Sequence, residues 1–106
     1  MSITSDIIRG HTETIILSNL YEKDSYGYEI NKMIKDKTEH QYELKEATLY
    51  CAFKRLKENG YIESYWGEQA VGARRRYYRI TAEGKKYYEE CKQDWENTKR
   101  ILDKLI

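Results

Sequence analysis

The sequence predicts a mainly α-helical chain with one small β-hairpin: three helices, the hairpin, then a long final helix. Three observations predict it. Apolar residues recur with helical spacing in three segments before residue 60. Two short runs at 61–66 and 77–80 alternate as strands do, on either side of a glycine-bounded loop. Beyond Thr81, the residues Tyr88, Cys91, Trp95, Thr98, Leu102 and Leu105 are spaced 3, 4, 3, 4, 3, the step of a heptad seam. A chain of 106 residues suits one domain with a modest core, and a partner subunit would add to that core.

The first helix is expected over residues 5–21. Asp6 is acidic in its first turn, Ile8, Ile15, Ile16 and Leu20 fall near one face, and Ile7 and Leu17 widen that face. The polar run "EKDS" breaks the pattern. Ser25 is the expected N-cap of the second helix, because its hydroxyl can accept from an unpaired first-turn N–H. Tyr26, Ile30, Met33 and Ile34 then mark a buried stripe. "KDKTEHQYE" ends that helix. The third helix is expected from Glu46 to Asn59, with Leu49, Ala52, Phe53 and Leu56 inward and Gly60 closing it in the left-handed conformation. Its opposite arc carries Ala47, Thr48, Cys51, Lys54, Arg55 and Glu58, with Tyr50 on the border.

In the hairpin, Ile62, Ser64 and Trp66 alternate with Tyr61, Glu63 and Tyr65, and Tyr78 and Ile80 alternate with Tyr77 and Arg79. Thr81 is the expected N-cap of the last helix, which runs to about Leu105. Helix, helix, helix, hairpin is the order of a winged helix-turn-helix. Residues 1–80 would form that unit, and 81–106 would be a C-terminal helix in the same compact body.

The formal net charge is only +1, so affinity for a polyanion must come from a local patch. "GARRRYYRIT" (72–81) supplies it, with four arginines and two tyrosines. Between Lys45 and Ile80 there are eight Lys or Arg and four Glu, a local surplus of four positive charges. A solvated strand face is the plain reading of such a run. Three features favour DNA instead. The arginines sit at the loop end of the hairpin with no carboxylate near them in sequence. The other basic cluster, Lys54, Arg55 and Lys57, lies on the helix just before. Guanidinium donors also suit phosphate oxygens and narrow minor grooves. Thr48, Tyr50, Cys51, Lys54, Arg55, Arg74, Arg75 and Arg76 are therefore the expected DNA contacts, with the third helix in the major groove and the hairpin on the adjacent backbone. For Tyr50 and Arg55, packing on the neighbouring helix is an equal alternative.

Other classes find little support. Cys51 and Cys91 are isolated, so neither a zinc site nor a disulfide framework is expected, and a reduced cytoplasmic compartment fits. "MSITSDIIRG" lacks the apolar run of a signal peptide, and no stretch approaches the roughly 20 apolar residues of a membrane span. His11 and His40 have no metal-ligand spacing, and no catalytic triad, phosphate loop or dinucleotide fingerprint is present. Neither an enzyme nor a cofactor is expected. Two alternatives stay open: a winged helix that binds protein, and a redox-sensing regulator with Cys51 activated by Lys54 and Arg55.

"YGYEI" (26–30), "ATLYCAFKRLKENGYIESYW" (47–66) and "GARRRYYRIT" (72–81) resemble the PadR-type transcriptional regulators over almost the whole chain. The resemblance implies a homodimeric repressor on a pseudo-palindromic double-stranded operator. The third helix would read bases, the hairpin would be the wing, and the last helix would dimerise. The single short C-terminal helix is similar to the small branch that includes multidrug-binding repressors. In that branch a tryptophan on this helix lines the dimer pore, and Trp95 matches it. Two departures stand out: Cys51 follows "TLY" where many members have proline, and Ala73 stands where a second glycine is common.

A two-fold axis would bring Trp95 face to face with its own copy, and an indole is too wide for an ordinary seam. The resulting gap can stack a planar aromatic or cationic guest. Trp95, Ile8, Thr12, Ile15, Tyr88 and Cys91 are the expected effector contacts, with plain dimer packing the alternative for Trp95. A guest that prefers one dimer shape would move the two recognition helices off the roughly 34 Å spacing of successive major grooves.

Overall fold

A computed structural model describes residues 2–67 and 74–106. The elements run α1 (Ile3–Arg9), α2 (Thr12–Glu22), α3 (Gly27–Lys37), α4 (Glu46–Glu58), β1 (Ile62–Trp66), β2 (Arg76–Ile80) and α5 (Ala82–Leu105). The expected chain of helices, hairpin and long helix is present, and α2 sits at its centre, touching α4, α5 and β2.

The expected first helix is two helices. Gly10 closes α1 with its N–H on the Asp6 and Ile7 carbonyls, at 3.2 and 3.1 Å. The Thr12 hydroxyl then donates to the Arg9 carbonyl at 2.6 Å. Glycine is a poor helix former, and threonine here satisfies a carbonyl that a continuous helix would have used. The break frees α1, none of whose residues is buried, while α2 keeps Ile16, Leu17 and Leu20 in the core.

Ser25 is a second correction. The N-cap position of α3 belongs to Tyr26, with no side-chain cap bond. Ser25 is instead an extended residue bridged to β2: its N–H donates to the Tyr78 carbonyl at 3.2 Å, and it accepts from the Tyr78 N–H at 2.8 Å. Its hydroxyl turns to the Glu29 carboxylate. Residue 25 thus adds a one-residue third rung to the hairpin.

The link from α3 to α4 is set by a side chain. Asn31 donates to the Leu44 carbonyl at 2.7 Å and accepts from the Leu44 N–H at 2.8 Å, imitating a strand partner. Leu44 is thereby held in the core just before α4 begins. The far end of α4 closes as expected. Gly60 has φ +79°, the Tyr61 N–H reaches the Leu56 carbonyl at 2.9 Å, and the Gly60 N–H reaches the Lys57 carbonyl at 3.0 Å. Both bonds are those of a Schellman cap.

The strands pair antiparallel, with Ile62 opposite Ile80, Ser64 opposite Tyr78 and Trp66 opposite Arg76. Burial fades along this face, from Ile62 and Ile80 in the core to Trp66 and Arg76 in solvent. The hairpin therefore projects beyond the helices. Tyr78 anchors it by stacking on Phe53, with ring centres 3.9 Å apart. The connecting loop 68–73, with the Gly72–Ala73 departure, lies outside the described residues. Thr81 caps α5 as expected, accepting from the Gly84 N–H at 3.0 Å.

Candidate nucleic-acid interface

The inward arc of α4 is Leu49, Ala52, Phe53 and Leu56, all buried, so its other arc faces out. Cys51, Lys54, Arg55 and Lys57 are exposed there, and Tyr50 is 47 % exposed. Lys54, Lys57 and Tyr50 line one cleft of about 190 Å³ with Arg76 of the hairpin, over a floor of Phe53 and Tyr78. Lys54 and Lys57 of α4 and Arg76 of the hairpin therefore share a surface. Among the described residues no carboxylate pairs with Lys54, Lys57, Arg74, Arg75 or Arg76. Arg79 differs, because Glu63 lies 3.7 Å from it.

The hairpin arginines rest on aromatic rings. Arg74 and Arg76 lie over Trp66, with guanidinium carbons 5.3 and 5.4 Å from the ring centre. Arg75 lies over Tyr26 at 4.8 Å and Arg79 over Tyr65 at 5.1 Å. Arg76 also donates to the Ser64 hydroxyl at 3.0 Å. Tyr65 is fixed in turn by donating to Asp24 at 2.6 Å, and that bond raises its pKa.

The other expected contacts are dispersed. Thr48 is half-buried and lines a hollow with Ser5, Arg9 and Tyr42, away from the Arg76 cleft. Arg55 turns back to α2, where its Nε lies 3.1 Å from the Glu13 carboxylate. The second Glu13 oxygen accepts from Tyr87 of α5 at 3.3 Å. One carboxylate thus ties α4 to α5, a link no sequence spacing announces.

Burial raises the Tyr87 pKa most, followed by the Cys91 thiol and the bond to Glu13. The folded chain therefore holds this phenol proton more tightly than the unfolded chain does. The associated stability is present below the ordinary tyrosine value of about 10 and is lost as pH rises through the raised value. Between pH 9 and 11, stability by urea denaturation should fall more steeply in the unsubstituted chain than in Tyr87→Phe. Parallel pH profiles would contradict this account of Tyr87.

The expected effector residues divide between two adjoining hollows. Trp95, Ile8, Ile15 and Tyr88 line a largely apolar cavity of about 480 Å³, together with Ile7, Met33 and Tyr42. Thr12 and Cys91 line its polar neighbour of about 340 Å³, which Trp95 and Arg55 also border. His11, at the break between α1 and α2, packs its ring edge against Trp95 with centres 4.6 Å apart. Lys99 lies over the same indole at 5.8 Å. Asn19, on the apolar cavity wall, keeps a buried oxygen with no partner among the described residues.

No helix among the described residues is long and apolar enough to cross a membrane. An uncharacterized protein of Lysinibacillus sphaericus is 48% identical over 101 residues, covering 95% of this chain and 93% of its own. The structure of a transcriptional regulator from Clostridium thermocellum matches with 56% identity and a TM-score of 0.89, covering 99% of each chain. A PadR family transcription regulator from Clostridium difficile matches with 38% identity and a TM-score of 0.77, over 90% of this chain and 97% of that one. The model of the transcriptional regulator PadR-like family matches residues 16–90, spanning the helix-turn-helix, the hairpin and the start of α5. With its basic helix and hairpin on one surface, the chain belongs to this family of DNA-binding transcriptional regulators, not to any class of enzyme.

Proposed function

We propose that the chain acts in the cytoplasm as a homodimeric repressor of a pseudo-palindromic operator, released by a planar aromatic or cationic ligand held near Trp95. The observation that carries the DNA half is the cleft shared by Tyr50, Lys54, Lys57 and Arg76. A major groove entered by α4 from this side brings Arg74, Arg75 and Arg76 against the flanking phosphates. Cys51 leaves room for a base edge, and Thr48 faces the backbone near the start of α4. Arg55 is assigned to holding α4 on α2, since its charge is already met by Glu13.

The dimer half rests on α5. Its outer stretch exposes Ile101, Leu102 and Leu105, Ile106 just beyond it is exposed too, and α1 exposes Ile3 and Ile7. A stripe this apolar on a long helix is the surface a second copy would cover. The winged unit of residues 1–80 then carries the DNA surface, and 81–106, flanked by α1, carries pairing. The ligand half rests on the 480 Å³ cavity beside Trp95, a size suited to a small aromatic molecule.

Footprinting on the promoter of the chain's own gene, with sedimentation at micromolar concentration, tests the proposal. Protection of two half-sites one helical turn apart by a dimer is the expected result. A monomer, or duplex binding insensitive to salt, would overturn it. Trp95→Ala should weaken binding of a planar cationic dye by about tenfold, since two stacked faces are lost per dimer. It should leave the sedimentation coefficient unchanged. Unaltered dye affinity would remove the ligand half and spare the rest.

A further inference from the structure

The three adjacent arginines of the wing pose a physical problem. Like charges repel, and each long side chain must give up rotamer freedom when it meets a phosphate. An arginine already held in place loses less on binding. A guanidinium lying over an aromatic ring keeps its in-plane N–H donors free for an anion, because the ring takes only its face.

Trp66 is placed to do this. It is the cross-strand partner of Arg76, and both Arg76 and Arg74 lie over its indole, at 5.4 and 5.3 Å. The ring is 52 % exposed and outside the hydrophobic core, so the fold does not call for a tryptophan here. Tyr26 holds Arg75 similarly, at 4.8 Å, from the start of α3. Arg79 marks the contrast. It also lies over a ring, but Glu63 stands beside it and meets its charge. Among the described arginines, aromatic support without a paired carboxylate is found at Arg74, Arg75 and Arg76.

We propose that Trp66 is a positioning residue for DNA binding, whose indole holds Arg74 and Arg76 in the arrangement that meets the phosphate backbone. This rests on the reading of the wing arginines as phosphate contacts. The indole itself does not touch DNA. Its effect passes through the two guanidiniums, so it vanishes when they are removed.

The test is a double-mutant cycle on the full chain, with a labelled random-sequence duplex titrated at several salt concentrations. Trp66→Ala should weaken binding about fivefold, in keeping with two exposed cation–π contacts, and leave the salt slope unchanged because both arginines remain. Trp66→Phe, which restores a ring face, should recover most of the loss. In an Arg74→Ala/Arg76→Ala background, Trp66→Ala should change affinity less than about twofold, the signature of a coupled pair. An equal fivefold loss in that background would overturn the proposal, since the indole would then act on its own. A Trp66→Phe chain that folds normally yet binds as weakly as Trp66→Ala would also overturn it. If Arg74→Ala/Arg76→Ala itself leaves affinity and slope untouched, the wing does not contact phosphate, and the parent reading fails separately.

Discussion

Replacing Arg74, Arg75 and Arg76 together with alanine is expected to weaken duplex binding by about two orders of magnitude at physiological salt. The size follows from counterion release. Each phosphate neutralised contributes a slope of about −0.9 to log K against log salt, so three lost contacts flatten the slope by between about two and three. That difference, carried from about 1 M salt to 0.15 M, is a factor of roughly 10². The loss should be the same for operator and random duplexes, because phosphate contacts carry no sequence information. The fold should be unaffected, since all three side chains are exposed and pair with no carboxylate among the described residues. Lys54→Ala, on the same surface, should flatten the slope by about one contact. A loss confined to one sequence would make the wing a base reader. No loss would place the duplex elsewhere on the molecule.

The architecture was legible in the sequence because its signals are local. Gly60, Thr81 and the inward arc of α4 each answer to a rule about neighbouring residues, and each behaves as that rule says. Where the sequence misleads, a distant partner has overridden a local preference. Ser25 has the chemistry of an N-cap, but Tyr78, far along the chain, takes its backbone into a bridge. The break at Gly10 was hidden because isoleucines on both sides keep helical spacing, so periodicity alone reads through it. The candidate surface divides in the same way. That positive charge gathers on α4 and the wing could be counted. That Arg55 packs on a neighbouring helix is one of two readings the sequence leaves open. Its partner Glu13 could not be read, because the two are 42 residues apart and only the packing of α2 on α4 joins them. The Trp66–Arg76 pairing was equally hidden. It depends on hairpin register, which the alternation of either strand does not fix by itself.

The Arg55–Glu13–Tyr87 connection changes how the two halves of the molecule relate. Tyr87 also stacks on Tyr61, at the exit of α4, with ring centres 4.2 Å apart. On the α5 side, Tyr21 of α2 donates to Glu89 at 3.0 Å, which raises the Tyr21 pKa. The helix that exposes the apolar stripe is therefore fastened to both α2 and the end of α4. In the proposed dimer, rotation of α5 would strain contacts that orient α4, a physical route by which a change in pairing geometry would reach the proposed recognition helix.

Gly84→Ala is expected to be the most damaging added methyl among the described glycines. A Cβ built on Gly84 would lie 2.0 Å from the Tyr61 carbonyl oxygen and 2.8 Å from the Ile80 side chain. The nearest obstacle is backbone, which cannot swing aside as a side-chain tip can. The start of α5 must then withdraw by about an ångström. Withdrawal loosens the Thr81 N–H bond to the Tyr61 carbonyl, at 3.0 Å, and the Thr81 hydroxyl bond to the Gly60 carbonyl, at 2.7 Å. Overpacking of this kind costs about 3 kcal/mol. For a domain of this size that is a fall in Tm of roughly 10–20 °C, measured at fixed protein concentration because pairing in the proposed dimer would contribute to stability. Gly60→Ala provides the control. Gly60 needs its φ of +79° but has nothing within 4 Å of its would-be Cβ, so only backbone strain of about 1 kcal/mol opposes the methyl. The two glycines thus separate close approach from conformation as reasons for having no side chain. Equal losses in the two variants would mean that α5 does not press on the hairpin base as tightly as the Tyr61 carbonyl indicates. The tilt of α5, and with it the spacing of the recognition helices in the proposed dimer, would then have to be set by the Tyr87 and Tyr21 contacts alone.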